Sequence, residues 1–246
     1  MTPNELIAIA CPKIRDLGWG YYFTPETSAA GAAIGLDAFR FYFLGRGGVL
    51  GDVESQVVAA AFGYFNPGVV ADMWTSGQEK TTLTPRQCGA AYLECAAVHG
   101  RQHFATIDGL EAFNAAAEAV MAAADPTALM LYAAAAAEPL ADDVPGRAMQ
   151  LVSHLRELRG SAHLLAVRAV GLSAPLAHAI SRPNDLEMFG WTADAVGAPT
   201  DEQRAALVEA ELMTDRLVLG AYAALDDAQG DALLAGLAAI EKAAAG

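Results

Sequence analysis

The chain has 246 residues, 54% of them hydrophobic, and sets 29 acidic side chains against 15 basic ones, a formal net charge of −14. That length supports a core without a disulfide or metal staple. The charge argues against a nucleic-acid surface, because each phosphate contact needs a Lys or Arg. No charge-free run reaches the roughly 18 apolar residues of a membrane span.

Much of the hydrophobic content is alanine, which adds little buried area per residue. Asn4, Glu5 and Asp16 fall where the apolar part of a secretory signal would lie, so none is expected. Cys11, Cys88 and Cys95 are odd in number and match no pairing rule, which fits a reducing cytoplasm.

In chain order, Thr2-Pro3-Asn4-Glu5 predicts a helix start, with Pro12 expected to kink or restart the helix before Gly18-Trp19-Gly20. Thr24-Pro25-Glu26 is a second cap of the same design. The helix it begins is expected to run through Ala38 to Leu44 and to carry Phe39, Phe41, Tyr42 and Phe43 before Gly45-Arg46-Gly47-Gly48. Further helices are predicted from Asp52 to Phe65, from Pro67 through Trp74, from Thr84 past His99, from Ile107 to Ala124 and from Thr127 to Ala137.

Glu138 through Val144 reads as a linker. It divides residues 1–143, an N-terminal helical bundle with an aromatic cluster, from a C-terminal helical region, 144–246. In the second part a long helix spans Pro145 to Val170 and a short one Ala174 to Ser181. The capping box Thr200-Asp201-Glu202-Gln203 opens a helix to Leu225, and a last helix follows Asp226-Asp227. No alternating strand with hairpin chemistry is present, so the fold class is all-α, a multi-helix bundle.

Several motifs carry a resemblance. Tyr22-Phe23-Thr24-Pro25-Glu26, the aromatic helix ending at Arg46 with Leu50-Gly51 after it, and Ala61-Phe62 through Phe65-Asn66-Pro67 occur in this order. Leu155-Arg156-Glu157-Leu158-Arg159-Gly160 with His163, then Gly190-Trp191-Thr192, complete the set. Together they resemble the SalK-like family, mainly actinobacterial and often labelled helix-turn-helix. The resemblance implies a helical domain plus a winged-helix region of the MarR type, and no established reaction. The sequence departs from that pattern in having Ser161 after Arg159-Gly160. It also has only Ala193 to Pro199 between Trp191-Thr192 and the final capping box. A recognition helix of about three turns plus a wing does not fit there. The expectation is therefore a degenerate winged-helix-like region closed by long terminal helices.

The candidate site lies in the long helix. Arg156, Arg159 and His163 are spaced by three and four residues and share one side. One reading is an interior ion network, with the arginines paired to buried acids such as Glu26; spacing alone favours it. The other is a ligand pocket in which Arg156 and Arg159 hold a carboxylate or phosphate and His163 moves a proton. In that reading His163 and Arg159 are the catalytic candidates. Arg156, Arg46, Tyr22, Glu26, Phe39, Tyr42, Phe43, Phe62 and Phe65 are the ligand-binding ones, with Tyr64 on the same aromatic wall. His154 falls off this face and reads as a surface histidine. His178 could fold back toward His163, and the pair are the weak metal or haem candidates. Cys95, His99 and His103 are a second weak metal set.

No nucleophile elbow, zinc-protease helix motif, Walker sequence or paired-cysteine motif is present. The leading expectation is a binder of a small organic molecule or cofactor, with catalysis in specialised metabolism left open. A MarR-like ligand-responsive regulator and a non-catalytic helical interaction module are the alternatives. A homodimer through the C-terminal helices suits the two alternatives and is neutral under the leading expectation.

Overall fold

The structure, a computed structural model, describes residues 1–244. Thirteen α-helices account for most of them: α1 (Pro3–Leu17), α2 (Pro25–Ala33), α3 (Ala38–Gly48), α4 (Ser55–Phe62), α5 (Pro67–Lys80), α6 (Pro85–His103) and α7 (Leu110–Ala123). The rest are α8 (Met130–Ala136), α9 (Val144–Ala169), α10 (Ala174–Ser181), α11 (Ala193–Val196), α12 (Asp201–Tyr222) and α13 (Asp227–Ala244). No strand occurs among the described residues, and no single helix is long and apolar enough to cross a membrane.

The start signals work as their chemistry requires. Thr2, Thr84 and Thr200 each close a capping box, with the Thr side chain accepting from the third helical N–H while Glu5, Gln87 or Gln203 reaches back to the Thr backbone. Two expectations are corrected. Pro12 does not restart α1, which continues through it to Leu17; its ring lies on the exposed side. Nor does one helix run from Thr24 to Leu44. Gly35 takes a left-handed φ of 85°, and the Asp37 side chain then caps a new helix by accepting from the Arg40 N–H.

The long helix α9 is the axis of the molecule. It packs against α1, α6, α7, α8 and α12, while α13 lies on α1 and α7. The main hydrophobic core accordingly runs from Leu6 through Phe41, Phe113 and Leu155 to Ile240, across the linker expected near residue 143. A smaller cluster of Ala166, Val167, Leu172, Ala177, Leu207 and Ala210 lies where α9, α10 and α12 meet. Its packing is close because small residues face large ones. A Cβ on Gly45 would sit 2.4 Å from the Tyr92 ring, and one on Gly236 would sit 2.6 Å from Phe113.

Beyond α9 the chain turns sharply. Residues 170–173 hold Gly171 at φ 80°, and α10 leaves α9 at 111°. Between α10 and α12 lie only one 3-10 turn, Pro183–Asp185, and the four-residue α11. Among the described residues this interval holds no strand that could form a wing, and the two long helices α12 and α13 follow it.

Candidate functional site

The segment after α10 is tied to the turn between α4 and α5. Asn66 donates its backbone N–H to the Phe189 carbonyl at 2.8 Å and its side-chain amide to the Gly190 carbonyl at 3.1 Å. The Trp191 indole donates to the Tyr64 carbonyl at 2.8 Å. That turn depends on Gly63, whose φ of 69° an L side chain rarely adopts and whose Cβ would strike Leu164 at 2.4 Å. These ties hold the α10 segment over one side of α9. A cavity of about 390 Å³ lies between them, walled by α3, α4, α9, α10 and α12.

Its lining is unusual for so acidic a chain. Five of the twelve arginines face it, Arg15, Arg46, Arg156, Arg159 and Arg182, against two acids, Glu157 and Glu211. Phe62, Phe65, Phe189, Leu131 and Leu164 supply an apolar wall. Four polar atoms of lining residues are buried without a partner in the protein: Tyr64 Oη, Arg156 Nε, Arg159 Nε and His178 Nε2. Buried polar atoms are rarely left so.

Two ion clusters stand on this wall. In the first, Arg46 Nε and Nη2 each donate to one Glu157 oxygen at 2.8 Å, and its Nη1 donates to the Tyr42 hydroxyl at 3.1 Å. The same guanidinium lies 4.5 Å from the Phe62 ring centre. The Tyr22 hydroxyl donates to Glu157 Oε1 at 3.2 Å and accepts from Arg156 Nη1 at 3.2 Å. Arg156 itself reaches Glu157 only at 3.4 Å. Burial pushes the Glu157 carboxyl up, but the charge and hydrogen bonds of Arg46, with Arg156 and Tyr22, overcome this and hold it down at about 2.

In the second cluster, Arg159 Nη2 donates to Glu211 at 2.7 Å and lies 3.7 Å from Asp215. His163 Nε2 is 3.6 Å from the other Glu211 oxygen, and its Nδ1 is 3.0 Å from the Thr214 hydroxyl. That hydroxyl gives its only proton to the Ala210 carbonyl at 2.7 Å, so Nδ1 must be the donor to it. Neutral His163 therefore carries its proton on Nδ1, which leaves a bare Nε2 beside Glu211. Burial lowers its pKa, and the Glu211 charge opposes that. Chemically, the pair can hold or move one proton at the cavity wall.

The expected residues are thus sorted. Arg46, Arg156, Arg159, His163, His178, Tyr42, Phe62 and Phe65 share the cavity. Tyr22 is buried behind it and acts through its hydroxyl. Phe43 is fully buried core, and Phe39 stacks on Phe23 away from the cavity. Glu26 is exposed and pairs with neither arginine. Their acid partners are Glu157 and Glu211, which helical spacing did not single out. His154 is also corrected: it is 98% buried, with neither ring nitrogen partnered in the protein, not a surface side chain. The signal was local, since Val152, Ser153 and Leu155 around it are buried too.

His163 and His178 both face the cavity, with the Tyr64 ring 6.4 Å from the first and 6.0 Å from the second. Phe189 covers His178 at 4.1 Å. His99 and His103 lie 4.4 Å apart, while the Cys95 thiol donates to the Ala91 carbonyl. Among the described residues no three His, Cys, Asp or Glu side chains are grouped to hold a metal.

An α9–turn–α10 pair at 111° has the angle and turn length of a helix-turn-helix unit. A family model described as a helix-turn-helix family matches residues 13–184, which include this pair, and the chain belongs to that family. No curated protein and no solved structure matches the chain.

Proposed function

We propose that the protein binds a small organic molecule in the cavity between α9 and the α10 segment. The observation that carries this reading is one part-apolar cavity of about 390 Å³ that gathers five arginines, His163 and His178 against only two acids. Binding pockets combine an apolar lining with a few such groups. In this reading α10, the second helix of the helix-turn-helix unit, serves as a pocket wall. It reads Ala174-Pro175-Leu176-Ala177-His178-Ala179-Ile180-Ser181, with Ala177 and His178 turned inward. His163, with Glu211 and Arg159, supplies the acid–base group of any reaction on the bound molecule. The motif resemblance to the SalK-like family accords with a helical domain and supplies no reaction.

The test is a fluorescence titration with N-phenyl-1-naphthylamine, an uncharged dye that brightens in apolar cavities. One saturable site per chain is expected, lost when Gly160 at the cavity mouth is replaced by Phe. A response that Gly160→Phe leaves unchanged places the dye elsewhere and sinks the reading.

A second reading, a ligand-responsive DNA-binding regulator, is favoured by the family description alone. Against it, α10 carries no Arg, Lys, Asn or Gln; the first such side chain is Arg182 at its end. Arg40, Arg86, Arg101 and Arg147 each pair with a carboxylate, whereas among the described residues the exposed Arg168, Arg182, Arg204 and Arg216 have no ion pair. Duplex binding with a steep salt dependence would restore it.

A further inference from the structure

The two arginines that α9 sends into the cavity differ in charge balance. Arg159 has two carboxylates, Glu211 at 2.7 Å and Asp215 at 3.7 Å. Arg156 has a share of one. Glu157 lies within 3.4 Å of it, but Arg46 takes both oxygens of that carboxylate at 2.8 Å. Two guanidinium groups with side chains 15% and 24% exposed thus share a single negative charge. Burial makes an uncompensated charge costly, and an arginine cannot relieve it by losing a proton.

The geometry of Arg156 points the same way. Both of its hydrogen bonds leave from Nη1, to the Tyr22 hydroxyl and to Glu157, and its Nε has no partner in the protein. Its Nη2 makes no hydrogen bond to the protein, so that nitrogen is left to donate to a carboxylate, sulfonate or phosphate. Arg182 lines the same cavity from the end of α10, while Arg15 is tied to Asp16 at 2.7 Å and 3.1 Å. The remaining wall, Phe62, Phe65 and Phe189, is apolar.

We infer that Arg156 is the anchor of an anionic head group, and that the ligand of this cavity is an organic anion whose apolar part lies against Phe62, Phe65 and Phe189. This rests on the pocket reading above and assigns its ligand class and polarity. Arg159 is a positioning residue that holds Glu211 beside His163, not the head-group contact.

A matched pair of dyes separates the two claims. 1-Anilinonaphthalene-8-sulfonate carries the ring system of N-phenyl-1-naphthylamine plus one negative charge. Wild-type protein is expected to bind the sulfonate at least tenfold more tightly than the neutral dye. Arg156→Met should bring the ratio of sulfonate to neutral-dye affinity down to unity, and Arg156→Lys should restore part of it. Helicity and urea midpoints establish that each variant folds. If Arg156→Met does not fold, the wild-type comparison alone decides. If the neutral dye binds in the cavity and the sulfonate binds no better, the anion assignment is wrong and the pocket reading stands. An equal loss of the sulfonate's advantage in Arg182→Met with none in Arg156→Met also overturns the assignment. If neither dye binds, both claims fall.

Discussion

Arg46 and Glu157, 111 residues apart in sequence, meet through two parallel hydrogen bonds of 2.8 Å between α3 and α9. The pair joins the aromatic cluster of the first half of the chain to the long helix that carries the remaining site groups. Removing one partner strands the other in a buried place. Glu157→Gln is expected to cost roughly 3–5 kcal/mol, the usual penalty for breaking a buried pair, measured by urea unfolding at neutral pH.

The same carboxylate has a pH signature. Its folded pKa of about 2 lies below the ordinary 4.5, so the unfolded chain takes up the proton first as pH falls. The contribution is complete above pH 4.5 and is lost on the way down to about pH 2. It amounts to about 3 kcal/mol at about 1.4 kcal/mol per unit. Glu157→Gln should lack this loss, and an unchanged slope of stability against pH over that window would show that the pair does not form.

His154 predicts a second window. Burial lowers its pKa to about 4 from 6.5, so protonation favours the unfolded chain. Stability is complete above pH 6.5 and declines as pH falls toward 4, by up to about 3 kcal/mol. His99, also lowered to about 4 by burial and by His103, contributes in the same range, so the comparison is between variant and wild type. His154→Leu should flatten the decline and match or exceed wild-type stability at pH 5, because it removes two unpartnered ring nitrogens. A variant that unfolds at all pH values would show that the imidazole is needed where it stands.

Much of the fold was legible in sequence because its punctuation is local. The boxes at Thr2, Thr84 and Thr200 are set within four residues, and each starts a helix at the expected place. The break at Gly35-Leu36-Asp37 was missed because Asp37 caps without the Thr-Pro signature of its neighbours. The candidate site was legible in part. Three-and-four spacing placed Arg156, Arg159 and His163 together, and all three face the cavity. Spacing on one helix says nothing of which acids other helices bring. Glu211 on α12 is therefore out of reach of such spacing, and Glu157 points off the arginine face, toward Arg46. Glu26, the acid expected from sequence, is solvated at the first turn of α2.

The His163 tautomer follows from one proton. Thr214 donates to Ala210, so His163 must donate from Nδ1. Long-range nitrogen–proton NMR of the neutral imidazole should show the Nδ1–H form. Thr214→Val, nearly isosteric, should release this bias. An Nε2–H form in the wild type would contradict the arrangement at Glu211.

Gly160 lies in the middle of α9 at the cavity mouth, with nothing within 4 Å of an added Cβ. Gly160→Ala is expected to raise stability by about 0.5–1 kcal/mol, the ordinary cost of glycine inside a helix. It should leave dye binding intact, whereas Gly160→Phe should weaken it at least tenfold. Calorimetry and the titration above check the two effects separately.

The most direct test is a crystal structure of the protein soaked with 1-anilinonaphthalene-8-sulfonate. The account predicts the rings between α9 and the α10 segment, against Phe62, Phe65 and Phe189, with the sulfonate on Arg156. A dye bound only on the outer surface, or α10 packed down on α9 with the cavity closed by side chains, would contradict it.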